Sequence, residues 1–137
     1  MKLKLLSVFL FLNSFVSAQQ NNIDVLHYKF HIGLNDVNDT IYGVAEIKVS
    51  FLSPTNQLSF DIGLVNNKSK GMLVGKIEGP SVRGMMPYEE NFKIILSKNF
   101  NAADTASFII PYHGIPADGL IISKTKYGHS SFFADNW

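Results

Sequence analysis

Histidines are the residues of this 137-residue chain best suited to metal chemistry, and His27 and His31 are four positions apart. On a helix this spacing would place both imidazoles on one face, where they could share a zinc ion. The residues around them alternate and predict a strand, in which four residues span about 13 Å. Side chains that far apart do not bind one ion. We therefore interpret both as solvent-facing histidines of a sheet with one wet side.

Patterns for other kinds of catalysis are also weak. The sequence has no H-E-x-x-H zinc motif, no G-x-S-x-G nucleophile motif, no glycine-rich phosphate loop and no cysteine. Ser130 and Ser131 follow His129, but the members of a catalytic triad meet only through the fold, so adjacency in sequence indicates nothing. His113 and His129 have no partner at ligand spacing. The residues themselves therefore predict no catalytic or metal site in this chain.

The first eighteen residues have the organisation of a secretory signal peptide. Lys2 and Lys4 form a positive start, an apolar stretch covers residues 5–16, and small residues end at Ala18. The apolar stretch is shorter than the roughly 20 residues that a membrane-spanning helix needs. We predict cleavage between Ala18 and Gln19, no membrane span in the mature protein, and a secreted, periplasmic or cell-envelope location. The remaining domain would cover residues 19–137.

Composition narrows the function classes further. Removing Lys2 and Lys4 leaves ten of the 12 basic side chains against 11 acidic ones, so the mature chain is almost neutral. That balance does not provide the basic surface that nucleic-acid binding requires, and we expect no nucleic-acid partner. Without cysteines an exported domain has no disulfides, so its stability must come from apolar burial. The chain has 137 residues, 46% of them hydrophobic, and is therefore long and apolar enough to form one packed domain.

Short alternating segments separated by turn residues run through this domain. Residues 26–32 place Leu26, Tyr28, Phe30 and Ile32 on one face of a first strand, and residues 40–51 form the return strand. Gly43, in the middle of that second strand, predicts a bulge or a bend. Further strands are predicted from the apolar positions of residues 58–62, 72–77, 82–86, 92–96, 106–112 and 120–122.

The turn chemistry agrees with this strand pattern. Asn35 to Asp39 is dense in residues that make Asx turns, and Pro116, Asp118 and Gly119 break the strand that contains Phe108. No helical periodicity extends over three turns. Seven to nine short strands without a helix predict an all-β fold, an antiparallel β-sandwich.

The order and spacing of four motifs in this chain carry a family resemblance. They are Asp24-x-x-x-Tyr28, Ile41-x-Gly43-x-x-x-Ile47, Tyr112-x-Gly114 followed by Asp118-Gly119-Leu120, and an aromatic strand that reaches Asn136-Trp137. Together they resemble the amino-terminal domain of zinc aminopeptidases of the aminopeptidase N family, over residues 24–137.

The resemblance implies a saddle-shaped β-sandwich that covers a following thermolysin-like catalytic domain. In that family the catalytic domain carries the H-E-x-x-H zinc helix and a G-A/G-M-E-N substrate loop, and neither motif occurs here. The resemblance therefore implies a non-catalytic, C-terminally incomplete domain with no cofactor of its own, the zinc lying in the missing catalytic domain. Its partner would be that downstream domain, and peptide substrates would bind only in the full-length enzyme.

The resemblance also implies two substrate-binding positions. The family's saddle supplies a Gln, and two residues later a Glu or Gln, that bind the free α-amine of the substrate; these positions correspond to Asp135 and Trp137. Asp135 could pair with an ammonium by charge and Trp137 could offer a cation–π face. Alternatively, Asp135 caps a turn and Trp137 belongs to the core.

A function from another class is also compatible with the pattern: a free-standing secreted β-sandwich binding module, such as an adhesin or a carbohydrate-binding domain. The aromatic residues Tyr127, Phe132, Phe133 and Trp137 would then form a ligand surface. In the aminopeptidase interpretation they would instead lose part of their cover without the downstream domain.

Overall fold

The computed structural model of the chain describes residues 22–65, 70–88 and 91–134, and its regular elements there are all strands. They are β1 (Ile23–Gly33), β2 (Ile41–Phe51), β3 (Thr55–Asp61), β4 (Gly71–Val74), β5 (Val82–Tyr88), β6 (Asn91–Phe100), β7 (Thr105–Ile115), β8 (Leu120–Lys124) and β9 (Ser130–Ala134). The predicted all-β fold is confirmed. Within these ranges we find no helix of the length and hydropathy that crossing a bilayer requires.

Antiparallel pairing joins the strands into two facing sheets and a hairpin. One sheet has the order β1-β2-β7-β4, the second has the order β3-β6-β5, and β8 pairs with β9 as a separate two-stranded unit. Buried side chains of both larger sheets form one apolar cluster between them. This arrangement is the predicted β-sandwich.

The core follows the alternation of β2 and β7. Ala106, Phe108 and Ile110 of β7 are almost fully buried, whereas Ile109 between them is 41% exposed. Phe51 of one sheet stacks on Phe100 of the other, with ring centroids 4.6 Å apart. In the described part of the chain no polar or charged side chain is buried, so apolar burial stabilises the sandwich.

The turns use the residues predicted for them. Asn35 Oδ1 accepts hydrogen bonds from the backbone N–H groups of Val37 and Asn38, at 2.9 and 3.0 Å, and so closes the β1–β2 loop. Between β7 and β8, Gly119 adopts a φ of 77° and its N–H donates to Asp118 Oδ1. A left-handed φ of this kind favours glycine, which explains the choice at position 119.

Of the predicted bulge or bend at Gly43, the bulge is wrong. Gly43 pairs in regular register with Ile32 of β1 and with Tyr112 of β7. Its role is steric, because the Tyr112 ring occupies the space where a Cβ atom at position 43 would lie. Glycine in this strand therefore provides room for an aromatic ring from the neighbouring strand.

The irregularity lies in β1 instead. The pairing of β1 with β2 shifts between Val25 and His27, which leaves Leu26 outside the ladder. From His27 to Gly33 the register is uninterrupted, so Tyr28, Phe30 and Ile32 share one face as predicted. The prediction that Leu26 belongs to the same face is not supported, since the bulge removes it from the alternation.

Candidate functional site

The site residues inferred from the sequence lie outside the described residues. Asp135 and Trp137 follow the last described position, and Ala18 and Gln19 precede the first. Their roles in substrate binding and in signal cleavage stay predictions.

All four histidines are exposed, and they are distributed over separate elements. His27 and His31 lie on the outward face of β1, His113 lies on β7, and His129 lies in the loop between β8 and β9. The predicted solvent-facing orientation of His27 and His31 is confirmed. Over residues 22–65, 70–88 and 91–134 no three His, Cys, Asp or Glu side chains come together in a way that could hold a metal ion.

The inner face of β1 is apolar and uncovered. Tyr28, Phe30 and Ile32 pair with Ile47, Ala45 and Gly43 and so point to the same side as the core. They are nevertheless 48%, 57% and 56% exposed, since β1 is the edge strand and the three-stranded sheet opposite does not cover it. The Tyr28 and Phe30 rings stack with centroids 5.6 Å apart. We call Tyr28, Phe30 and Ile32 the open strip.

A cleft between the two sheets continues from the open strip. Its volume is about 340 Å³, within the range of small-ligand pockets. Tyr28 and Phe30 line it together with Phe60, Phe92 and Tyr112, and Asp61 is the charged residue of its lining. Burial raises the pKa of the Tyr112 phenol, so its hydroxyl is neutral at physiological pH. The cleft can therefore accept apolar groups but offers few polar partners.

The opposite face of β1 carries basic side chains. His27, Lys29 and His31 project there, and we call them the basic row. Glu46 of β2 is the adjacent carboxylate: its Oε1 lies 3.3 Å from both Lys29 Nζ and His31 Nε2. The hydrogen bond from Lys29 lowers the pKa of Glu46 and keeps this exposed carboxylate ionised. Edge strand β1 thus has an apolar face and a face with basic side chains.

The β8–β9 hairpin forms a second apolar surface. Ile121 and Phe133 are directly opposite each other across the hairpin, and both are exposed, Phe133 to 62%. Tyr127 in the loop is 76% exposed, with Lys126 Nζ 4.9 Å from its ring centroid. Lys124 Nζ donates to Ser130 Oγ at 2.7 Å and so ties the two strands together. The predicted aromatic strand is present, and its outward face is free to contact another surface.

Reasoning from the sequence missed the open strip as a candidate surface. The alternation of β1 indicates which residues share a face, but it carries no information on whether a second sheet covers that face. The predicted strand lengths could have indicated an uncovered face, because strands of unequal length in two facing sheets cannot cover one another completely.

Neither a scan against models of protein families nor a search of the curated proteins finds a match. Solved structures do match. A mutant of the M1 zinc metallopeptidase from Deinococcus radiodurans superimposes with a TM-score of 0.58 at 19% identity, over 71% of this chain and 21% of the other. The mutant bound to a Tyr-Ser-Ala substrate gives a TM-score of 0.57 at 18% identity, over 77% and 22%.

The M1 zinc metallopeptidase from the same organism without that mutation gives a TM-score of 0.59 at 18% identity. The resemblance inferred from the sequence is thereby confirmed at the level of the fold. This chain spans about a fifth of the length of the metallopeptidase chains it matches.

Proposed function

We propose that this chain is the non-catalytic amino-terminal domain of an exported zinc metalloaminopeptidase, an enzyme that removes residues from the amino ends of peptides. The observation that carries the proposal is the fold match, which covers 71–77% of this chain and only about a fifth of each metallopeptidase. A domain of this kind acts by covering and positioning a separate catalytic domain. The zinc would lie in that catalytic domain and not in this chain.

The β8–β9 hairpin supports this role. Its Ile121 and Phe133 side chains form an exposed apolar cross-strand pair. In the described part of the chain, β8 and β9 pair with each other and not with a strand of either larger sheet. Apolar surface of this kind gains free energy when another surface covers it, at ~25 cal/mol per Å². We assign this face of the hairpin to the contact with the catalytic domain. Asp135 and Trp137, which follow β9, would then reach the substrate's α-amine.

Export is part of the proposal and rests on the tripartite start of the sequence, with cleavage between Ala18 and Gln19. The mature enzyme would act in the periplasm, on the cell envelope or outside the cell. Its substrates would be peptides with a free amino end.

Reading the coding sequence beyond the codon for Trp137 tests the proposal. We expect an H-E-x-x-H motif within a few hundred codons, since the catalytic domain of the family follows its saddle. A stop codon at that point together with binding of purified residues 19–137 to glycans or cell surfaces would instead establish a free-standing binding module and overturn the proposal.

A further inference from the structure

Among the edge strands of the part of the chain that the structure describes, β1 is the best suited to accept another strand. It has 11 residues, whereas β4 at the other edge of the same sheet has four. The edges of the second sheet, β3 and β5, have seven residues each and pair regularly over five of them, whereas β1 pairs regularly over seven. From His27 to Gly33 the ladder between β1 and β2 is regular, so the far side of β1 presents a regular row of backbone donors and acceptors. An extended segment paired there would continue the sheet.

The two faces of β1 determine which segment fits. In a paired strand, side chains opposite each other project to the same face and interact. Beside the open strip, a fitting segment needs large apolar side chains. Beside the basic row it needs acidic ones, because Lys29 and His31 share a single carboxylate oxygen of Glu46 and, among the described residues, have no other acidic partner there. The Lys29 ammonium has three donors and can bind a second carboxylate.

A second copy of the chain does not meet this requirement. Pairing β1 with β1 of another copy, with like faces aligned, would bring the Lys29 ammonium groups of both copies to one face without a further carboxylate, and like charges opposite each other destabilise a sheet. A lysine on an edge strand is a common protection against such self-pairing. The leading part of the sequence does not fit either, since residues 1–22 contain no Asp or Glu.

We infer that β1 is a docking edge for an extended segment of a separate polypeptide, in which large apolar residues alternate with aspartate or glutamate. The apolar side chains of this segment lie against Tyr28, Phe30 and Ile32 and cover the cleft beside them. Its carboxylates bind Lys29 and the neighbouring imidazoles. This inference does not depend on the proposed peptidase function, because it uses only the edge strand and its two faces.

Binding of synthetic peptides to purified residues 19–137 tests the inference. The probe is a fluorescent peptide that matches His27–Gly33 in length and alternates phenylalanine or valine with glutamate; its control has lysine at every glutamate position. Fluorescence anisotropy should show the acidic peptide binding about tenfold more tightly, because glutamate opposite Lys29 forms a cross-strand ion pair whereas lysine at that position repels it. The difference should shrink at high salt.

Backbone methylation distinguishes strand addition from unspecific apolar contact. In an added strand, alternate N–H groups of the peptide point toward β1 and the others point away. Two versions of the acidic peptide, each methylated on one of these two sets of nitrogens, should therefore differ in binding. The version methylated on the nitrogens that point away from β1 should bind, and the version methylated on those that point toward β1 should not. Equal binding of the two versions would contradict pairing with the edge.

Two variants locate the site. Lys29→Glu should reverse the preference in favour of the lysine peptide, whereas Lys98→Glu on β6, with the same change in net charge, should leave it unchanged. Phe30→Ser should weaken the acidic peptide about tenfold or more without unfolding the domain, because Phe30 is 57% exposed. Phe133→Ser, at a similarly exposed site on the hairpin, should leave binding unchanged.

Three outcomes would overturn the inference. The first is equal affinity for the acidic and the lysine peptide. The second is a dimer of residues 19–137 that Phe30→Ser dissociates, which would make a second copy the occupant. The third is binding by residues 19–137 but not by the full-length gene product, which would mean that a segment of the same polypeptide already occupies β1.

Discussion

Replacing Gly43 with alanine is expected to destabilise the sandwich, because the added methyl group would occupy the position of the Tyr112 ring. A covered tyrosine side chain buries roughly 150–250 Å². Since Tyr112 is partly buried, displacing its ring would uncover roughly 100 Å², which costs about 2.5 kcal/mol. Part of this cost is offset, because alanine stabilises a strand by about 0.5–1 kcal/mol relative to glycine, which loses more backbone freedom on folding. The net loss in the free energy of unfolding is then about 1.5–2 kcal/mol.

A double-mutant cycle isolates this contact. In a Tyr112→Ala background the ring is gone, so Gly43→Ala should be neutral or stabilise the fold by about 0.5 kcal/mol. Urea unfolding of residues 19–137, followed by far-ultraviolet circular dichroism, gives the free energies for all four proteins. Gly84→Ala is a matched control within another strand, since no atom lies within 4 Å of the Cβ position there.

The reasoning would be refuted if Gly43→Ala cost the same free energy with and without the Tyr112 ring. Equal costs would mean that the glycine is needed for its backbone conformation, as a bulge would require, and not for the space it leaves.

Three further predictions concern other parts of the chain. Phe108→Ala should lower the free energy of unfolding by about 3–5 kcal/mol in the same urea assay, because Phe108 is fully buried, whereas Phe133→Ala at a 62% exposed site should change it little. Since Lys29 lowers the pKa of Glu46 from its ordinary value of 4.5, Glu46→Gln should be less stable than wild type at neutral pH. That difference should vanish in pH-dependent melts as the pH falls below 4.5 and the carboxylate takes up a proton; a constant difference would exclude the ion pair as its cause. Mass spectrometry of the exported protein should find Gln19, cyclised or not, as the first residue, and an intact Met1 would exclude signal cleavage.

Most of the fold could be predicted from local chemistry. The alternation of Ala106, Phe108 and Ile110 identified the buried face of β7, and the same pattern identified that of β2. Asn35 and Gly119 marked turns because side-chain oxygens and left-handed φ angles act within a few residues. These features depend on neighbours along the chain, which a sequence displays directly.

What could not be predicted depends on other strands. Gly43 indicates a bulge when β2 is considered alone, and only the position of Tyr112 on β7 reveals that it makes room for a ring. The alternation of β1 indicates an apolar face, but the exposure of Phe30 follows from the limited extent of the opposite sheet. The bulge at Leu26 likewise emerges from pairing with β2 and has no local signature.

The candidate surfaces likewise include one feature that the sequence predicts and others that depend on how the strands are arranged. The aromatic strand β9 follows from the crowding of aromatic residues in that part of the sequence, whereas the exposure of Phe133 becomes visible only in the structure. Recognising the basic row and the open strip as surfaces requires knowing that β1 is an edge strand, which is a property of sheet order.

Capture of the native protein from its source with an antibody raised against residues 19–137 tests the central claim, that this sandwich is a domain of a zinc metalloaminopeptidase. We predict a polypeptide several times longer than 137 residues, with stoichiometric zinc by elemental analysis and hydrolysis of aminoacyl-nitroanilides that a chelator abolishes. Purified residues 19–137 should show neither the zinc nor the hydrolysis. A captured protein of 15.3 kDa or less, without zinc and without this activity, would contradict the account.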